Sequence, residues 1–149
     1  PMTVDQALLH EHVVLVGYGR VGARIGESLR EQRIPFVVAE QNRELVEQLR
    51  DRGIHAVSGD AAEPVVLIQA HIARARMLVI TIPDSFRARK MIEIARTLKP
   101  AIDTVVRAES EEEADLLRGE SAGRVFVAEH ELAAGMAHRI RERMARPHD

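Results

Sequence analysis

The run Val13-Val14-Leu15-Val16 passes directly into Gly17-Tyr18-Gly19-Arg20-Val21-Gly22, and this junction limits the available folds more than any other feature of the chain. A short apolar stretch with no polar position reads as a strand buried on both faces. Helix formers follow the third glycine. Gly17 permits a tight turn off the strand, Gly19 lets the backbone come close to another group, and Gly22 lets the helix pack against the strand. Phosphate suits such a junction. The amides of residues 19–22 can donate to an anion, and the helix dipole adds ~0.3–1 kcal/mol per favourable charge. The pattern alone is not specific, because three glycines can also do no more than make a sharp strand-to-helix turn. Gly26 is assigned to close helix packing only.

Glu40 lies 18 residues past Gly22, at the end of a second apolar run over Pro35–Ala39. A carboxylate there can accept from both ribose hydroxyls of an adenosine and repel a 2′-phosphate, which favours NAD or an adenosine mono- or diphosphate over NADP. Arg43 nearby weakens that discrimination, and a solvated glutamate at a strand end is the plainer alternative.

Apolar runs alternate with helical patterns along the whole chain, which predicts a parallel sheet covered on both faces. Strands are expected at Val13–Val16, Pro35–Ala39, Ile54–Ser58, Met77–Ile82, Thr104–Arg107 and Arg124–Val127. Helices are expected at Val21–Gln32, Arg43–Arg52, Pro64–Ala70, after an Asp84 or Ser85 cap, from a Ser110/Glu113 capping box to Gly119, and at Glu131–Met144. Met91, Ile92, Ala95 and Leu98 should face inward, and Gly53 suits a left-handed helix end. The fold class is α/β: a Rossmann-like, doubly wound parallel six-stranded sheet in three αβα layers, with strand order 3-2-1-4-5-6 and right-handed crossovers.

The 149 residues suit one domain. Residues 11–145 form it, residues 1–10 are an N-terminal extension or remnant, and 146–149 are a tail. Pro1 is unusual as a native start, so a piece of a longer protein is expected. Basic and acidic residues number 21 and 23, and aromatics make up 3%. Neither a broad field for a polyanion nor a stacking platform results, so no nucleic-acid partner is expected. With no cysteine, thiolate metal sites and cysteine nucleophiles are excluded. No apolar run is long enough to enter a bilayer as a spanning helix.

The sheet edge that carries Gly17 should collect other groups. Gly59-Asp60-Ala61 follows the third strand, and Asp60 can accept from an adenine amino group or cap the next helix. Thr81-Ile82-Pro83 leaves the fourth strand beside the glycine turn and should pack against a nucleotide. Arg107, ending the fifth strand, can meet a phosphate or pair with Glu109. Other chemistry finds no constellation. His130-Glu131 lacks a second histidine at zinc spacing, and the tyrosine–lysine pair of short-chain dehydrogenases is missing. No residue is assigned a catalytic or metal-binding role.

The stretch from Val13 to Gly22, Glu40 with Gln41-Asn42, and Gly59-Asp60-Ala61-Ala62-Glu63-Pro64 followed by Ile72-Ala73-Arg74-Ala75 resemble the RCK domain, also called KTN or TrkA-N. The arrangement is most similar to the cytosolic C-terminal domain of Kef-like monovalent cation/proton antiporters. This resemblance implies binding of AMP, ADP, ATP or NAD(H), homodimerisation through the later helices, and control of a transmembrane cation channel or antiporter part. It implies a place at the cytoplasmic face of the cell membrane. Gly17 to Gly22 would hold phosphate, with Tyr18 and Arg20 flanking it. Glu40 would hold the ribose, Gln41 would also contact the nucleotide, and Asp60 and Ala61 would border adenine. Many members carry Asp where this chain has Glu40. Glutathione-responsive members tend to carry two arginines after the fifth strand, where this chain reads Arg107-Ala108-Glu109. The C-terminal ligand lobe of channel-type members has no counterpart. An NAD-dependent oxidoreductase fragment without its substrate domain is the alternative, with Thr81, Asp84 and Arg107 as candidate groups near a nicotinamide.

Overall fold

Strand β1 (Val13–Val16) is buried at all four positions, as a central strand with helices over both faces must be. The computed structural model describes residues 9–119 and 123–145. The tail at 146–149 and all of the assigned extension except Leu9 and His10 lie outside them. Leu9 is buried in the core.

β1 pairs in parallel with β2 (Phe36–Glu40) on one side and β4 (Met77–Ile80) on the other, so that Val16 stands beside both Ala39 and Ile80. With β3 (Ala56–Ser58), β5 (Asp103–Ala108) and β6 (Arg124–Val127), the order is β3-β2-β1-β4-β5-β6, all parallel. That is the expected order. The winding direction reverses between β1 and β4, which opens a crevice at their carboxyl ends.

Alternate β1 side chains enter different cores. Val13 and Leu15 pack with Val46 and Leu49 of α2 (Arg43–Asp51) and with Ile25 and Leu29 of α1 (Arg20–Glu31). Val14 and Val16 face the core that also holds Leu67 of α3 (Pro64–Gln69), Met91 of α4 (Ser85–Leu98) and Leu117 of α5 (Glu111–Gly119). A 3-10 turn at Ile72–Arg74 drops Ile72 into the same core.

Several local expectations need correction. On α4 the buried face is Ala88, Met91, Ile92 and Ala95, whereas Leu98 is exposed, because the helix ends there and its last turn clears the sheet. β4 stops at Ile80, two residues early, since the Thr81 side chain is committed to the glycine turn. α6 (Ala128–Met144) starts straight after β6 without a side-chain cap, three residues earlier than expected. In the α5 box, Ser110 accepts from the Glu113 amide at 3.2 Å, but the Glu113 carboxylate reaches the Glu109 amide at 3.4 Å rather than that of Ser110.

His12, beside the amino end of β1, is fully buried. Its Nε2 lies 2.9 Å from the Ala70 carbonyl and donates to it, while Nδ1 has no partner among the described residues. Burial lowers its pKa from 6.5. The Ala70 bond opposes this, and the charges of His71, Arg74 and His10 reinforce it. The unfolded chain therefore binds the proton more readily. Stability should be complete above about pH 6.5 and fall as the pH drops through the lowered folded value. Urea unfolding between pH 7.5 and 5.5 should show this loss, and His12→Gln should reduce it. A Cβ on Gly22 would stand 2.1 Å from the Gly17 carbonyl oxygen, so Gly22→Ala should cost about 1–3 kcal/mol by the same measurement.

Candidate functional site

Gly17 turns off β1 with φ +92°, a conformation that side chains disfavour. Thr81 lies beneath it. The Thr81 hydroxyl donates to the Val16 carbonyl at 2.8 Å and also faces that of Gly17 at 3.3 Å. A Cβ on Gly17 would meet this hydroxyl at 2.6 Å. At Gly19, by contrast, nothing lies within 4 Å of a Cβ position. Two glycines thus close the turn, and the third leaves its outer side open.

Gly19 is the N-cap of α1, without a side-chain cap and with no acid in the first turn. The first bond within the helix runs from the Ala23 amide to the Gly19 carbonyl. The amides of Arg20, Val21 and Gly22 have no intrahelical acceptor. They form a concentrated donor set for an anion at the β1/β4 crevice.

Glu40 ends β2 across from this turn. One carboxylate oxygen accepts from the Tyr18 amide at 2.9 Å and the other from the Asn42 amide at 2.7 Å. The carboxylate therefore ties the glycine turn to the start of α2, where Asn42 accepts from the Leu45 amide at 3.2 Å. Each oxygen retains a second lone pair for a hydroxyl donor. This structural duty is additional to the one expected of Glu40.

Gly59, at φ +138°, donates its amide to the Glu40 carbonyl. Asp60 does not cap α3, whose N-cap is Glu63. Its Oδ1 accepts from the Ala62 amide at 2.8 Å and from Arg87 at 2.5 Å. Burial pushes the Asp60 pKa up. The Arg87 bond, the Ala62 amide and the charges of Arg87 and Lys90 outweigh it and hold the pKa below the usual value. Gly17, Glu40, Gln41, Gly59, Ala61 and Ile82 line one narrow cleft together with Arg87 and Met91.

Other expected residues do not line this cleft with their side chains. The Tyr18 ring turns away to pack on Gly26, where a Cβ would sit 2.6 Å from it, and its hydroxyl is 3.5 Å from Glu27. Only its backbone reaches the site, and burial raises the phenol pKa. The Gly26 packing is thus against Tyr18. Arg20 and Val21 are exposed at the head of α1, and Pro83 is exposed beyond β4. Arg107 makes a two-bond pair with Glu109 at 3.0 and 3.1 Å and also donates to the Thr81 carbonyl at 3.3 Å. Of the groups considered near a nicotinamide, Asp84 accepts from the Arg87 amide as the cap of α4. Sequence reasoning missed Arg87. Its signal is the position three residues after the Asp84 cap, which puts it in the first turn of a helix opening on the crevice.

The TrkA-N domain family model matches residues 13–128. The chain is 39% identical over 125 residues to the putative cation/proton antiporter YbaL of Escherichia coli, covering 84% of this chain and 22% of that protein. It is 31% identical to the putative K(+) efflux antiporter KefB of Alkalimonas amylolytica, covering 89% of this chain and 20% of the relative. The chain therefore spans about a fifth of the length of these curated relatives. The crystal structure of the TrkA-N domain of E. coli YbaL superposes with a TM-score of 0.83 at 38% identity, over 87% of this chain and 96% of that one. The Kef C-terminal domain of Shewanella denitrificans, in its AMP-bound form, superposes with a TM-score of 0.76 at 21% identity, over 91% and 82%. That likeness concerns the fold. With the six-stranded order, the glycine turn and the family match in agreement, the chain belongs to the TrkA-N domain family.

Proposed function

We propose that this domain binds an adenine nucleotide at the β1/β4 crevice and thereby regulates a membrane cation transport system, of the cation/proton antiporter or potassium channel kind. The observation that carries the reading is the uncapped N-terminus of α1 beneath the open side of Gly19. In this reading the Gly17–Gly22 turn holds the phosphates of AMP, ADP, ATP or NAD(H). Glu40 takes the ribose, and Gln41, Asp60 and Ala61 border the adenine. Residues 11–145 make up the domain, which works at the cytoplasmic face of the membrane. No residue has a catalytic role. The oxidoreductase alternative gains little support, because the Thr81 hydroxyl, Asp84 and Arg107 are each engaged in structural bonds.

The reading includes a homodimer. Leu132, Met136, Ile140 and Met144 repeat every fourth residue along α6, each 60–76% exposed, and no α6 residue is buried. Such a stripe on one helix face suits a second copy of the same helix. By linkage, a ligand shifts a dimer between two arrangements only by its differential affinity for them.

Calorimetric titration with AMP, ADP, ATP, NAD, NADH and NADP tests the site. Micromolar binding of an adenine nucleotide with rejection of NADP is expected, and no binding of any of them would sink the proposal. Glu40→Gln should weaken binding about tenfold, as loss of a bond to a charged acceptor does. Gly19→Val should abolish binding while lowering the melting temperature by only a few degrees, the cost of a poorer N-cap residue. Met136→Glu combined with Ile140→Glu should give a folded monomer in light scattering, because these side chains are exposed in the single chain.

A further inference from the structure

Arg87 occupies the first turn of α4, where the positive end of the helix dipole disfavours a cation, so its placement needs another cause. The side chain is only partly exposed, at 29%. Its Nη2 donates to Asp60 Oδ1 at 2.5 Å. With the Gln41 amide oriented oxygen-inward, that oxygen accepts from Nη1 at 3.0 Å and also from Nη2. The Nε is buried and has no partner among the described residues. The side chain thus bridges the carboxyl ends of β2 and β3, across the cleft that Glu40, Gly59 and Ala61 line.

The cavity left beside it measures about 60 Å³. That volume holds roughly one or two waters, whereas pockets for small ligands run from ~300 Å³ upward. A purine does not fit wholly within the cleft beside the guanidinium. The surrounding backbone has little room to give: the Gly17 turn is packed on Thr81, and Gly59 is packed on Val66. Arg87 is the long, flexible group of the wall.

We propose that Arg87 is a displaceable occupant of the adenine compartment, and that its release from Asp60 and Gln41 sets the affinity and base selectivity of the site. This inference rests on the nucleotide-binding reading above. An ionised Asp60 that loses Arg87 needs a replacement donor. The exocyclic amine of adenine supplies one, and the carbonyl at the same position of guanine opposes it. The unpartnered Nε and the unfavourable dipole both weaken the guanidinium's hold, so a base with matching donors can replace it. Release also unties α4 from the β3–α3 turn, so occupancy is registered on the helix that bears the exposed Phe86.

The test is calorimetric titration of the chain, Arg87→Met and Arg87→Lys with adenosine, guanosine and AMP. Adenosine is uncharged, so losing a positive charge does not alter its attraction to the site. Arg87→Met should bind adenosine about tenfold more tightly, equivalent to about 1.4 kcal/mol, with guanosine poor throughout. Arg87→Lys, which keeps the charge but not the fork, should gain less. It still decides the matter if the methionine variant folds badly. Adenosine binding unchanged or weakened in a folded variant would overturn the role of Arg87 and leave the nucleotide site standing. Guanosine bound as well as adenosine would overturn the selectivity. Failure of the parent and both variants to bind adenosine or AMP would overturn the role of Arg87, and failure to bind ADP, ATP and NAD(H) as well would overturn the nucleotide reading itself.

Discussion

At the functional edge of this domain, α1 begins in contact with the turn that ends β1. The contact is so close that a single methyl group on Gly22 would collide with the Gly17 carbonyl. Thr81, directly after the neighbouring β4, fills the space beneath and donates its hydroxyl to the Val16 carbonyl. Because β1 and β4 are the strands between which the sheet reverses, this contact fixes the crevice and aims the free amides of α1 into it. The rest of the site is arranged around that fixed point.

Charge tightens the same edge. The Glu40 carboxylate ties the glycine turn to the start of α2 through two backbone amides. Asp60 and Arg87 join the β3–α3 turn to α4. Arg107 joins the end of β5 to the carbonyl of Thr81. The Glu40 and Arg107 links run between neighbouring strand ends, whereas the Asp60–Arg87 link reaches from the end of β3 across to the start of α4. That ion pair is partly exposed, where it contributes modestly and can be exchanged for another partner. The opposite, amino edge is held differently, by burial of groups such as His12. One edge is thus built for exchange and the other for permanence.

The glycine spacing, Glu40 and the alternation of apolar runs with helical patterns were enough to place six strands and their order, since each rests on local chemistry. The exposed stripe of α6 was also present in the sequence, but spacing alone does not distinguish a buried face from one left bare. The roles of individual side chains were less legible. Tyr18 sits inside the glycine motif, yet its ring leaves the cleft because Gly26, eight residues on, opens a slot for it. Arg107 had two possible partners, and proximity on the β5–α5 turn gave it to Glu109.

The sequence by itself determined where the chain turns, which segments are buried on both faces, and that a helix starts directly after a glycine turn. These depend on residues adjacent in the chain and on backbone freedom. Only the tertiary structure decided that Arg87 crosses to Asp60 and Gln41, that Glu40 spends its oxygens on two backbone amides, and that Leu98 and α6 stay outside the core. Those outcomes depend on which side chains meet once the sheet and its helices are packed, a relation between residues tens of positions apart that local pattern does not encode.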